Sequence, residues 1–174
     1  LPPLPNVEIQ NVAGPATTAV GDLAHVTWEV INTGGAPADD SFLITVFASP
    51  DGAAGNDTPL FNVLFDQPLL PKEVVPQYAD VSVPELQTGE LFFVICADSS
   101  GDVLEVNESD NCSTGSLAST YNRPDLAVSP FTSPTNVEAE ATVTLSWNVH
   151  NIGSAVARPF WIDAIYLSTD ATFG

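Results

Sequence analysis

Residues 24–35 read AHVTWEVINTGG, and their alternation decides the fold. Val26, Trp28 and Val30 fall on one face, and His25, Thr27 and Glu29 on the other. Side chains alternate across a strand with a period of two, so this is a half-buried β-strand with Trp28 as its core anchor. Asn32-Thr33-Gly34-Gly35 ends it, because Asn and Gly tolerate turn conformations that β-branched residues resist.

The same stretch occurs again. Residues 143–154 read VTLSWNVHNIGS, with Leu145, Trp147 and Val149 on the inward face. Trp28 and Trp147 lie 119 positions apart, as do Asn32 and Asn151, Gly34 and Gly153, Ser49 and Ser168, and Asp51 and Asp170. The offset also holds upstream for Pro5 and Pro124 and for Pro15 and Pro134. This is an internal repeat, the most specific signal in the chain. It divides the 174 residues into a first unit over 1–120, a linker at 121–124 and the N-terminal, incomplete part of a second unit over 125–174.

Only three residues are basic, Lys72, Arg123 and Arg158, against 22 acidic ones, for a formal charge of −19. That balance excludes nucleic acid as a partner, since phosphate needs Lys or Arg to neutralise it, and argues against an anionic membrane surface. It fits solubility in salty surroundings or cation binding. No run of apolar residues is long enough for a membrane span in this segment. Leu1–Pro5 lacks the basic start and apolar run of a signal peptide.

In chain order, Asn6–Val12 reads as a first strand, Gly14-Pro15 as a turn, and Thr17–Asp22 as the approach to the Trp28 strand. Ser41–Ser49 is a strand apolar on both faces. Its repeat, Pro159–Ser168, carries Asp163 where the first unit has Ile44. That argues for the Asp163 face looking outward and for Ile162, Ala164 and Tyr166 looking inward. Pro59–Phe65, Gln77–Val83, Glu90–Ala97 and Cys112–Thr120 complete the strands, and Glu85–Gly89 is a turn. No window has a helical period. About seven short strands with regular turn signals predict an all-β fold, an antiparallel seven-stranded β-sandwich of immunoglobulin or fibronectin III kind, repeated in tandem.

Several of these stretches resemble a known family. VTWEVINTGGAPA, LSWNVHNIGSAVA, YLSTD at 166–170 and above all FFVICADSSGDVLEVNESDNCS at 92–113 are similar to CARDB, the cell adhesion related domain found in bacteria. The resemblance covers the first unit and the first strands of the second. It implies a seven-stranded sandwich, secreted or cell-surface placement, and tandem arrays.

Cys96 and Cys112 flank an acidic hairpin of fifteen residues. In an oxidising compartment such a pair forms a disulfide, worth about 3 kcal/mol by loop entropy; the alternative is two free buried thiols. The hairpin holds Asp98, Asp102, Glu105, Glu108, Asp110 and Asn111. Calcium takes six to eight oxygen ligands in irregular geometry, so Asp98, Asp102, Glu105 and Glu108 are candidate metal ligands, with Asp39 and Asp40 at the same end of the sandwich. The spacing is not that of an EF-hand, and solvated turn carboxylates are the competing reading. Asp51 and Asp57 form a second oxygen-rich loop, at the opposite end. Asn56, Asn107 and Asn111 each begin a glycosylation sequon.

His25 and His150 point outward with no nucleophile beside them, so no catalytic group or enzyme is expected. The sequence reads as a non-enzymatic extracellular structural or adhesive repeat module, calcium-stabilised and part of a surface filament or stalk. Its partners are neighbouring repeats, other copies of the chain, or a surface protein or glycan. The alternative is an accessory carbohydrate- or protein-binding module of a secreted hydrolase, for which Trp161 is the candidate platform.

Overall fold

The computed structural model describes residues 2–85, 90–113 and 117–170. Contacts group the chain into two units, Leu1–Arg123 and Pro124–Gly174. No helix among the described residues is long and apolar enough to cross a membrane.

The first unit is a sandwich of two sheets. One contains β1 (Val7–Ala13), β3 (Leu23–Asn32) and β6 (Val74–Ser82), in the order β1-β3-β6. The other has the order β2-β8-β7-β4-β5, formed by β2 (Thr17–Ala19), β4 (Phe42–Ser49), β5 (Thr58–Phe65), β7 (Glu90–Ala97) and β8 (Leu117–Asn122). Between the sheets lie Val26, Trp28 and Val30 of β3, as their alternation dictates, with Phe42, Ile44 and Val46 of β4 and Leu91, Phe93 and Ile95 of β7. Phe42 stacks on Phe65 with ring centroids 5.0 Å apart. β7 is buried along most of its length, as a continuous apolar run requires.

Four expectations need correction. The inward face of β4 carries Ile44, fully buried, while Leu43 is exposed. In the second unit Asp163 is exposed and accepts from the indole nitrogen of Trp147 at 3.0 Å, so its facing does not carry over to Ile44. The repeat had suggested the reverse facing. Second, residues 159–168 form no strand. Third, Thr17–Ala19 does not merely lead into β3 but joins the opposite sheet, pairing parallel with β8, so the sandwich is not wholly antiparallel. Fourth, eight strands rather than seven form the first unit among the described residues. β8 runs to Asn122, which places Tyr121 in a strand, its hydroxyl donating to the Pro84 carbonyl at 2.9 Å. The turn expected at 85–89 falls mostly, and the middle of the last expected strand (114–116) wholly, outside the described residues.

Two features fix where the chain enters this sandwich. Asn32 is fully buried. Its Oδ1 accepts from the Asn6 and Gly34 backbone nitrogens, and its Nδ2 donates to the Ala36 and Leu69 carbonyls, at 2.8–3.0 Å. A Cβ on Gly34 would lie 2.4 Å from the Pro5 carbonyl carbon. Gly34 is therefore required for close approach of the lead-in segment as well as for ending the strand.

In the second unit, β9 (Leu126–Thr132) pairs antiparallel with β10 (Ser146–Asn151). Leu126 opposes Asn151 as Val7 opposes Asn32, and Val128 opposes Val149 as Ile9 opposes Val30. Asn151 takes the Asp125 and Gly153 nitrogens and donates to the Ala155 carbonyl, the counterparts of three bonds at Asn32.

Candidate metal centre

β7 ends at Ala97, and Asp98 follows with a φ of 45°. Asp accepts this left-handed conformation better than most residues because its short carboxylate bonds locally. Here Asp98 Oδ1 accepts from the Asp102 nitrogen and Oδ2 from the Val103 nitrogen, both at 2.8 Å. Val103 is buried in the core and anchors the loop. The chain returns along β7: the Ala97 nitrogen donates to the Asn111 carbonyl at 2.9 Å, and Cys96 and Cys112 are joined by a disulfide.

Inside this bracket, Glu105 is buried. Its Oε1 accepts from Asn111 Nδ2 at 2.8 Å, and its Oε2 accepts from the backbone nitrogen of Val7. Glu108 Oε1 accepts from the Glu105 nitrogen at 2.9 Å. The result is one carboxylate oxygen each from Asp98, Glu105 and Glu108, all within 4.8 Å of one another. Two ionised carboxylates at that distance repel by about 3 kcal/mol at an effective dielectric of 20. Burial, the larger cause, pushes the Asp98 carboxyl above its usual range, against the bonds from Val103 and Asp102. Burial likewise lifts Glu105 to about 7, opposed by the bonds from Val7 and Asn111 and reinforced by the charges of Asp98 and Glu108.

Asn111 supplies a second, independent feature. It is only 5 % exposed, and its Oδ1 is buried with no hydrogen-bond partner. A buried amide oxygen without a partner loses the hydration it had in water, so such atoms are rare. Asn111, Asp98 and Glu108 line a cavity of about 370 Å³. The donor set is all oxygen, which suits a hard cation such as calcium and not zinc or copper.

The other candidates lie elsewhere. Asp102 accepts from Ser100 Oγ at 2.7 Å and stands outside the cluster. Asp110 Oδ2 takes Asn6 Nδ2 at 3.2 Å and Asn107 Nδ2 at 2.7 Å, tying the loop to the lead-in segment. Asp39 and Asp40 are exposed and outside the cluster. Asp51 takes Ser49 Oγ and the Ala53 nitrogen, both at 3.0 Å, and these bonds lower its pKa. Asp57 accepts from the Gly55 nitrogen at 3.0 Å. Of the sequons, Asn56 and Asn107 are exposed. Asn111 is buried against Glu105, which leaves a glycan no room. His25 Nδ1 lies 2.7 Å from Asp80 Oδ1 on the outer face. Sequence reasoning missed the grip on the lead-in segment, where the Val106 nitrogen donates to the Pro5 carbonyl and the Asn107 nitrogen to Asn6 Oδ1, both at 2.9 Å.

Among solved structures, the chain is similar to a crystal structure described as the CARDB domain of the PF1109 protein from Pyrococcus furiosus in complex with di-metal ions. The match has 23% identity and a TM-score of 0.51, over 68% of this chain and 89% of that one. A solution NMR structure of the PF1109 CARDB domain from Pyrococcus furiosus matches at 25% identity and a TM-score of 0.47, over 68% of this chain and 94% of that one. No curated protein matches. The family model CARDB matches residues 4–115, more than half of the chain, and the chain therefore belongs to the CARDB family.

Proposed function

We propose that this chain is a calcium-stabilised structural or adhesive module of the cell exterior, built to hold other parts apart. CARDB is an adhesion-related, non-catalytic family. The observation that carries the calcium reading is the approach of one carboxylate oxygen each from Asp98, Glu105 and Glu108 to within 4.8 Å of one another, beside Asn111, whose buried Oδ1 has no partner. A CARDB domain structure in complex with di-metal ions gives the reading a precedent in the fold. The disulfide suits an oxidising compartment. The recurrence of the Asn32 bonds at Asn151 supports a second sandwich of the same kind over 125–174, so that units string into a stalk or filament. Its partners are then neighbouring units, other copies, or a surface protein or glycan.

Thermal unfolding in calcium and in chelator tests the calcium reading. A ligand at a hundredfold its Kd adds about 2.7 kcal/mol. An unchanged midpoint returns the carboxylates to solvated turn residues and the module to a plain spacer. The second reading, a saccharide-binding accessory module, draws on Tyr78, 68% exposed on the outer face with its ring 5.4 Å from that of His25. Retention on polysaccharide columns, lost in Tyr78→Ala, would favour it.

A further inference from the structure

The cation ligands sit at the ends of a covalent bracket. Asp98 follows Cys96 by two residues, and Asn111 immediately precedes Cys112. Glu105 and Glu108 lie on the arc between them. Among the described residues, three hydrogen bonds besides the disulfide hold the arc's return to β7. The Ala97 nitrogen donates to the Asn111 carbonyl (2.9 Å), the Ser113 nitrogen to the Ile95 carbonyl (2.8 Å), and the Ile95 nitrogen to Ser113 Oγ (3.1 Å). Cys96 and Cys112 themselves meet only as an isolated bridge outside a continuous ladder. Mutual repulsion of three carboxylates within 4.8 Å pushes this arc open. Hydrogen bonds at an isolated bridge exchange with water; a disulfide does not.

We propose that the Cys96–Cys112 disulfide positions the cation ligands, so that reducing it releases the cation. The inference rests on the calcium reading above. Cys112 lines the same cavity as Asp98, Glu108 and Asn111 and is itself only half-buried, so the bond faces the space the cation fills. A dithiol reductant gives two electrons and two protons to the S–S bond. That bond breaks, two cysteine thiols form, and the dithiol leaves as its own disulfide. Asp98 and Asn111 then lose their fixed separation, and the cation must order the arc as it binds. Linkage makes the effect reciprocal: a bound cation protects the disulfide from reduction by the factor that oxidation adds to affinity.

Calcium titration calorimetry on the full chain tests this. The forms compared are oxidised, reduced with dithiothreitol, and Cys96→Ser/Cys112→Ser, each checked for a folded core by near-ultraviolet circular dichroism. Val26→Ala serves as a control that destabilises the core without touching the loop. The expected result is an affinity loss of about tenfold or more in both disulfide-free forms, none in Val26→Ala, and recovery on reoxidation. Calcium binding to the oxidised form with equal affinity after reduction overturns the positioning role and leaves the calcium reading intact. No binding to the oxidised form overturns both. A second measurement does not need the reduced chain to stay folded. In a dithiothreitol redox buffer, calcium should shift the disulfide–dithiol equilibrium toward the disulfide by about tenfold in the wild type and not in Asp98→Asn. An equilibrium indifferent to calcium in a chain that binds it refutes the proposal.

Discussion

Glu105→Gln separates the two roles assigned to this carboxylate, because its effects in chelator and in calcium have opposite signs. Burial and neighbouring charge lift the folded carboxyl from 4.5 to about 7. Between those values the folded chain keeps a proton that the unfolded chain releases. Metal-free stability therefore falls as pH rises through that window and is level above it. At full weight the gap corresponds to roughly 3 kcal/mol, and solvent screening at the loop leaves about 1–2 kcal/mol. Gln removes that charge penalty. Its single oxygen serves one of the two present donors, Val7 N or Asn111 Nδ2, while its amide can donate to the orphaned Asn111 Oδ1. The net gain is about 1 kcal/mol at pH 8, or a midpoint about 3–5 °C higher in chelator for a unit of this size. At pH 5 the two chains should converge, since the wild-type carboxyl is then protonated. In calcium at a hundredfold its Kd, the wild type gains about 2.7 kcal/mol, near 10 °C, and the variant little. The order of the midpoints should therefore invert between chelator and calcium, read by scanning calorimetry at several pH values. A variant less stable than wild type in chelator at pH 8 would show that the folded carboxyl is not held up by burial. A variant that keeps the full calcium gain would remove Glu105 from the ligand set.

Five further substitutions, two of them controls, test the frame around the site by urea unfolding. Asn32→Ala removes the partner of the Asn6 and Gly34 nitrogens and of the Ala36 carbonyl, and leaves the Leu69 carbonyl only the Ala38 nitrogen, and should cost about 3–5 kcal/mol; a loss under about 1 kcal/mol would deny it that role. Gly34→Ala forces a Cβ against the Pro5 and Asn6 backbone and should cost about 2–4 kcal/mol, whereas Gly55→Ala meets nothing within 4 Å and should be neutral or stabilising by about 0.5 kcal/mol. Ile44→Ala should cost about 2–5 kcal/mol and the exposed Leu43→Ala under about 1 kcal/mol; equal losses would contradict the facing of β4.

β3 was legible because one buried face imposes strict alternation, and β7 because a strand buried on both faces is apolar throughout. The cysteine pair and the acid-rich hairpin were legible because both are local in sequence. β4 was not: a run apolar on both sides carries no period-two signal, and Asp163 misled because it is exposed while Ile44, at the matching position of the first unit, is buried. β2 is three residues long and pairs with β8 about a hundred positions later, beyond any local pattern. The same distance hid the clasp between Glu105 and Val7, which are 98 residues apart. Asn111 read as a sequon because the tripeptide says nothing of burial, and its amide nitrogen is buried against Glu105, out of reach of a glycan.

That clasp connects the acidic loop to the spacer role. The chain enters the first unit through a corner locked by Asn32 and by the close approach of Gly34 to Pro5. The same segment is gripped from the other side, at Pro5, Asn6 and Val7, by residues 105–107. In a stalk, a pull on the chain from the N-terminal side reaches the fold at this segment first. Without a cation, the loop that grips it is strained by its own carboxylates. With one, Glu105 can hold the Val7 nitrogen without a proton of its own. On the calcium reading, the ion therefore stiffens the point of attachment more than the core. Hydrogen exchange at Val7, Val106 and Asn107 should slow on adding calcium, while exchange at Val26 and Val30 in β3 should change far less. Uniform slowing across the unit would assign the ion to global stability alone and separate it from any mechanical role.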